Sequence, residues 1–361
     1  MLAYNRPMPP SAELRALPKV LLHEHLDGGL RPATLLELLH ARGIAPPAAT
    51  VPALNDWFDA RAHAGSLVEY LRGFALTVAA MATPDAMERV AFEAAEDAHL
   101  DGCVLAEFRI APTLFESHGV SADAATEALI AGLRRGTEAT GMPCGLIVCG
   151  MRHDPPDLVA RSADTAIRFH GRGVVGFDLA GPEAGFPATL HARTLGRLRD
   201  AGVGLTLHAG EADVAERVVE ASDLGATRIG HGVRLADAIG VAGRAHLVDT
   251  VRARGLHLEV CPTSNVHTGA ATSIGTHPIR ALWEAGVPLS YHTDNRLISC
   301  VTMSDEAATL IGEAGFAPAD LVRMGLLAAR SSFLPEDARR RAGDALTAWA
   351  AAHDLAVAPL D

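Results

Sequence analysis

The chain has 361 residues, 49% of them hydrophobic, and a formal net charge of −12 at pH 7. That length suits one large α/β domain or two smaller ones, and the acidic balance argues against nucleic acid as a partner, because binding a phosphate backbone needs a basic face. No apolar run reaches the ~18 residues of a membrane span, and residues 1–18 hold no basic region followed by an apolar stretch, so the expected setting is the cytoplasm with no membrane partner.

The first predicted element is a strand over 19–25, running into His23-Glu24-His25-Leu26-Asp27-Gly28. Residues i and i+2 of a strand point to the same side. His23 and His25 therefore present two imidazoles to one point beside a turn, which is a way to begin a metal site. Two core histidines that only hydrogen-bond would give the same pattern, so segments further along must decide. Lys19, the only lysine of the chain, lies at the opposite end of this strand. A two-metal centre bridged by a modified lysine needs that lysine inside the site and is not expected here.

Residues from about 41 to 83 stand outside any strand-helix repeat. Within them Leu67, Tyr70, Leu71 and Phe74 fall at i, i+3, i+4 and i+7, one apolar stripe on a helix. The stripe is either core packing or a hydrophobic lid over a barrel mouth.

Strands are then predicted at 103–109, 144–151, 174–179, 204–208, 228–230, 256–260 and 288–293, with helices between them, for example at 84–101, 123–140 and 155–170. Eight strand-helix repeats predict a parallel (β/α)8 TIM barrel. It is expected as a single domain over 1–361, with the helical insertion at about 41–83 after strand one and extra C-terminal helices over 318–355 packed outside. A doubly wound sheet is the alternative, weakened because no GxGxxG turn follows the first strand. The five cysteines, Cys103, Cys144, Cys149, Cys261 and Cys300, form no CxxC pair and read as buried free thiols.

Side chains at the carboxyl ends of barrel strands converge on one mouth. His23 and His25 end strand one, Asp178 and Gly181 follow strand four, His208 and Glu211 end strand five, His231 follows strand six, and Asp294 and Asn295 end strand eight. Three imidazoles and one carboxylate suit one Zn²⁺ per chain, with a position left for water. Zinc brings the pKa of its water close to neutrality, so no Ser or Cys nucleophile is needed. Glu211, in a turn three residues past a ligand, is placed to exchange protons with a substrate. His231, between Gly230 and Gly232, is placed to orient the water. Purely structural roles are the alternative for both. His292 shares parity with Asp294 and reads as a buried hydrogen-bonding residue rather than a ligand, while His40, His63, His118, His170 and His257 read as surface or packing residues.

These segments resemble the adenosine deaminase family of the amidohydrolase superfamily. The motifs are 18–28 (PKVLLHEHLDG), 149–153 (CGMRH), 176–183 (GFDLAGPE), 208–211 (HAGE), 229–234 (IGHGVR), 261–270 (CPTSNVHTGA) and 292–295 (HTDN), in family order over roughly 15–330. The resemblance implies zinc on His23, His25, His208 and Asp294, with Glu211 protonating purine N1 and His231 positioning the attacking water. Asp294 would also accept a hydrogen bond from that water. It implies the Gly181 N–H at purine N3, Asp27 at a ribose hydroxyl, Asn295 at N7, and Leu67, Tyr70, Leu71 and Phe74 as the family's apolar lid.

The implied reaction is hydrolytic deamination of a 6-aminopurine nucleoside, adenosine or 2′-deoxyadenosine, to the 6-oxopurine and ammonia. Three positions depart from the usual family pattern. Asn295 stands for a second Asp, and its neutral amide can donate to N7. His292 stands for Asn and His267 for Gln, changes that bear on substrate identity rather than on the chemistry. Relatives acting on free adenine usually carry Glu at the position of Asp27, and Asp would repel a phosphate. A modified nucleoside such as aminodeoxyfutalosine is the nearest competitor, then free adenine. A two-ion hydrolase on the same barrel, and a non-catalytic nucleoside-binding or signalling protein, are disfavoured by Glu211 after HAG and by the complete set of His23, His25, His208, Glu211, His231 and Asp294.

Overall fold

The computed structural model describes residues 10–63 and 67–360. Eight strands follow one another around a single sheet: β1 (Lys19–His25), β2 (Cys103–Ile110), β3 (Cys144–Met151), β4 (Val174–Ala180), β5 (Gly204–Ala209), β6 (Arg228–His231), β7 (His257–Val260) and β8 (Leu289–Tyr291). Every neighbouring pair is parallel. The barrel closes where β8 meets β1, through the bridge between Glu24 and Asp294, with the His25 N–H donating to the Asp294 carbonyl at 2.7 Å and the Asp294 N–H to the His23 carbonyl at 3.0 Å. The expected (β/α)8 barrel is the observed fold.

Helices fill the connections, and several carry an apolar face and a clear start. Pro84–Leu100 begins at Thr83, whose hydroxyl accepts the Ala86 N–H, with Pro84 in the first turn; Ala122–Thr140 begins likewise at Ser121. Residues 41–83 contain two helices, Val51–Ala62 and Leu67–Met81. The side chains of Leu67, Tyr70 and Leu71 lie outside the described residues.

The strands alternate in burial partner. Phe108, Phe177, Leu207, Ile229, Leu258 and Leu289 belong to one apolar cluster with the helices. The opposite faces of the same strands carry Glu107, Arg109, Asp178, Thr206, Arg228, His257, Glu259, Ser290 and His292, all buried on the barrel axis.

The C-terminal helices Pro318–Ser331 and Glu336–Ala352 pack outside, as expected, but the turn between them does not. Ser332 and the Phe333 N–H both donate to Glu107 Oε1 at 2.6 Å. The Phe333 ring lies under the Arg228 guanidinium, 3.9 Å from the ring centre. A methyl group on Gly176 or Gly204 would stand 2.7 or 2.6 Å from that ring. Ser332 and Phe333 thus floor the barrel, and those glycines make room for them. Two thiols also correct the expectation, since Cys300 is exposed and Cys144 only half-buried; all five are free.

Candidate active site

His23 and His25 occupy the end of β1, His208 the end of β5, and Asp294 the loop three residues past β8. Their ligand atoms lie within 4.8 Å of one another, the one such group of His, Cys, Asp or Glu found among the described residues. The predicted strand 288–293 is longer than the observed β8, so parity does not place Asp294. A left-handed backbone does, at φ +60°, as also at His231 with φ +62°. Non-glycine residues rarely adopt that conformation, and such outliers gather at functional sites.

The imidazoles are held from behind. His23 Nδ1 meets Glu259 Oε2 at 2.9 Å and His208 Nδ1 meets Asp178 Oδ2 at 2.9 Å. A carboxylate on one ring nitrogen fixes the tautomer and turns the other nitrogen's lone pair toward the cluster. Arg109 ties the two carboxylates together, donating to Asp178 Oδ2 at 2.6 Å and Glu259 Oε2 at 2.5 Å. Arg228 donates to Glu259 Oε1 and Glu107 Oε2, both at 2.6 Å, and Thr206 to Glu259 Oε1 at 2.8 Å. Burial pushes the Glu259 carboxyl up, but Arg109 and Arg228 outweigh it and hold it well below the usual range. Three carboxylates face two guanidiniums here, and the surplus negative charge favours imidazole donors and a cation above them.

The donor set fits a zinc ion. Burial drives the His25 imidazole well below its ordinary pKa, into the neutral form a ligand needs. His23 Nε2 is buried, lies 3.3 Å from Asp294 Oδ1 and has no hydrogen-bond partner among the described residues. Ser264 donates to the other Asp294 oxygen at 2.5 Å. A methyl group on Gly230 would come within 3.0 Å of the His23 ring and 3.2 Å of the His208 ring, so only glycine leaves both rings in place.

Beside this cluster, His231 Nε2 stands 3.5 Å from Glu211 Oε2. Asn265 lies 3.1 Å from His231 Nδ1, and Thr268 donates to Glu211 Oε1 at 3.0 Å. Burial lowers the His231 pKa against the opposing pull of Glu211, leaving a neutral imidazole at neutral pH. A cavity of about 1180 Å³ opens above, lined by His25, Asp27, Phe74, Gly181, Glu211, His231, Asp294 and Asn295 among others. His118, expected at the surface or in packing, also lines it. Burial pushes the Asp27 carboxyl up to about 7. Glu24 points away from the cluster and accepts from Thr293 at 2.8 Å, and His292 bonds to the Leu22 N–H and Ser290.

The sequence reading missed Glu259, Arg109, Glu183, Arg152, Ser264, Asn265 and Thr268 as site residues, and took Asp178 as following β4 although it lies within the strand. The available signal was a charged residue inside an apolar strand, as in 257–260 (HLEV) and 103–110 (CVLAEFRI).

The profile of the Adenosine deaminase family matches residues 18–349. The chain is 43% identical to adenosine deaminase of Mycobacterium bovis over 338 residues, 90% of this chain and 92% of that one. It is 44% identical to adenosine deaminase of Mycobacterium sp. strain JLS over 339 residues, 89% and 92% of the two chains. Adenine deaminase of Arthrobacter aurescens shares the fold at a TM-score of 0.83 and 24% identity, over 95% of this chain and 100% of the other. An amidohydrolase of Burkholderia ambifaria with bound Zn superimposes at a TM-score of 0.83 and 25% identity, over 96% and 94%.

Proposed function

This chain belongs to the adenosine deaminase family and is a hydrolytic deaminase; on that premise we propose adenosine and 2′-deoxyadenosine as its substrates and a single zinc ion, held by His23, His25, His208 and Asp294, as its cofactor. The observation that carries the reading is the Glu211–His231 pair, 3.5 Å apart, on the edge of that four-residue cluster. The ion, when bound, acidifies the attacking water and holds it in place.

The chain's own residues do the rest. Glu211, steadied by Thr268 and Asn265, protonates purine N1 and so draws electron density from C6. His231, neutral through burial and accepting the Asn265 amide N–H on Nδ1, carries its proton on Nε2 and donates it to the water oxygen on its side of the ring. Asp294, with one oxygen held by Ser264, accepts a hydrogen bond from that water. The water oxygen adds to C6, one of its protons passes to the amino group and the other restores Glu211, and ammonia leaves as the C6 carbonyl forms. The Gly181 N–H faces purine N3, the Asn295 amide N7, and Asp27 a ribose hydroxyl. The helical insertion over 41–83, with Phe74 on the cavity wall, serves as the apolar lid over the barrel mouth, within a single domain spanning the chain.

A nucleoside fits better than a nucleotide. The two arginines lining the cavity mouth are already paired, Arg234 with Asp237 at 2.7 Å and Arg244 with Glu216 at 2.9 Å, which leaves neither free for a phosphate. The volume of about 1180 Å³ also has room for a larger ribose substituent, which keeps aminodeoxyfutalosine as a second reading. Five free thiols suit a cytoplasmic enzyme.

Ammonia release from adenosine, 2′-deoxyadenosine, adenine, AMP and aminodeoxyfutalosine tests the substrate. Turnover of the first two is expected. Release from aminodeoxyfutalosine or adenine alone moves the substrate, and no release from a zinc-loaded protein overturns the function.

A further inference from the structure

The parallel ladder between β4 and β5 stops short of the level where the substrate groups sit. β3 and β4 pair at six positions up to Met151 and Ala180, but β4 and β5 pair only at Gly176 with Gly204 and Phe177 with Leu205. Above that point side chains replace the backbone ladder. Asp178 Oδ1 accepts the His208 N–H at 3.2 Å. Arg152 Nη2 donates to the Leu179 carbonyl at 2.9 Å and also to the His208 carbonyl. Higher still, Glu183 takes four successive N–H groups: Gly210 on Oε1 at 2.5 Å, then Glu211, Ala212 and Asp213 on Oε2 at 3.0, 2.9 and 3.1 Å.

Four consecutive N–H groups turned inward make a concave anion site, and here the chain supplies its own anion. Glu183 is buried and only two residues past Gly181. Its carboxylate therefore joins the loop after β4, which bears Gly181, to the loop after β5, which bears Glu211. We infer that Glu183 is a positioning residue that fixes Glu211 against the far edge of the purine, holding the seam between β4 and β5 at the separation the substrate requires. The inference rests on the proposed role of Glu211 and concerns what sets that residue's place.

The test is Glu183→Gln, with Glu183→Asp as the second variant should the first not fold, and Glu211→Gln alongside. A Gln amide can turn only one oxygen toward the four donors. A displacement of ~1 Å at a reacting group costs on the order of 10²-fold in rate. The expected result for Glu183→Gln is a fall of about that size in kcat for adenosine, with KM and zinc content near the wild-type values. Hydrogen exchange provides a readout independent of activity: the amides of 210–213 should exchange at least ~10-fold faster, while those of 204–209 stay protected. Unchanged kcat and unchanged exchange at 210–213 overturn the inference. So does a loss of zinc or a rise in KM that accounts for the whole effect, since Glu183 would then only support the fold. Full activity in Glu211→Gln instead refutes the reading on which the inference rests, and the exchange result separates the two failures.

Discussion

Leu258 and Glu259 are neighbours on β7, yet they face regions built on different principles. Leu258 enters the apolar shell between strands and helices, with Phe108, Phe177, Leu207 and Leu289. Glu259 faces the axis, where carboxylates, guanidiniums and imidazoles meet. The shell stabilises by area, ~1.5–3 kcal/mol for each large side chain buried. The interior gains little net stability from its ion pairs, because desolvation offsets much of the Coulomb attraction. What the interior supplies is the orientation of His23 and His208. One face of each strand holds the fold and the other holds the site, so the two properties should separate under mutation.

The largest expected effect lies above the interior, at Glu211. If the axis alone holds the metal, Glu211→Gln keeps zinc by elemental analysis and loses ~10²–10⁴-fold in turnover; joint loss of metal would break the division. Next is Arg228→Met, which takes the guanidinium away from Glu107 Oε2 and Glu259 Oε1. Removing one partner of a buried pair costs ~3–5 kcal/mol, read as a lowered urea midpoint, and a change below ~1 kcal/mol would mean that the interior tolerates loss of a partner as the surface does. The sharpest contrast is on β7 itself. Leu258→Ala should cost ~2–5 kcal/mol and leave zinc affinity alone, while Glu259→Gln should weaken zinc ~10–100-fold in a chelator competition.

The smallest effect concerns Glu306, a buried carboxyl on the helix Met303–Gly312 that accepts the Thr263 N–H at 3.1 Å. Burial pushes it up to about 8 from an ordinary 4.5, so the folded chain keeps a proton that the unfolded chain releases. Stability from this group is present below pH 4.5 and is lost as pH rises toward 8. Glu306→Gln removes that dependence, and its melting temperature should gain on the wild type between pH 5 and pH 8. A constant difference across that range would show that the carboxyl is ionised in the fold.

Much of the site was legible because its ligands stand at the ends of apolar strands, where the spacing of His23 and His25 and the segments around His208 and Asp294 announce a shared direction. The supporting residues were not. Parity puts Glu259 and Arg109 on the axis, but that Glu259 meets His23, 236 residues away, depends on which strands the barrel brings face to face. Glu183 left no mark because its partners are backbone N–H groups, which every residue but proline carries. Asp294 was placed at the end of a strand that proves shorter than predicted, and a left-handed turn three residues past β8 aims it. The floor at Phe333 escaped notice because a short turn between two outer helices gives no sign of pointing inward.

That floor has a consequence for traffic. With Ser332 and Phe333 closing the amino-terminal end, arrival and departure share one doorway, beside Phe74 and Val78. The vessel must empty before it can refill, and whatever leaves it competes, from outside, with the next molecule waiting to enter.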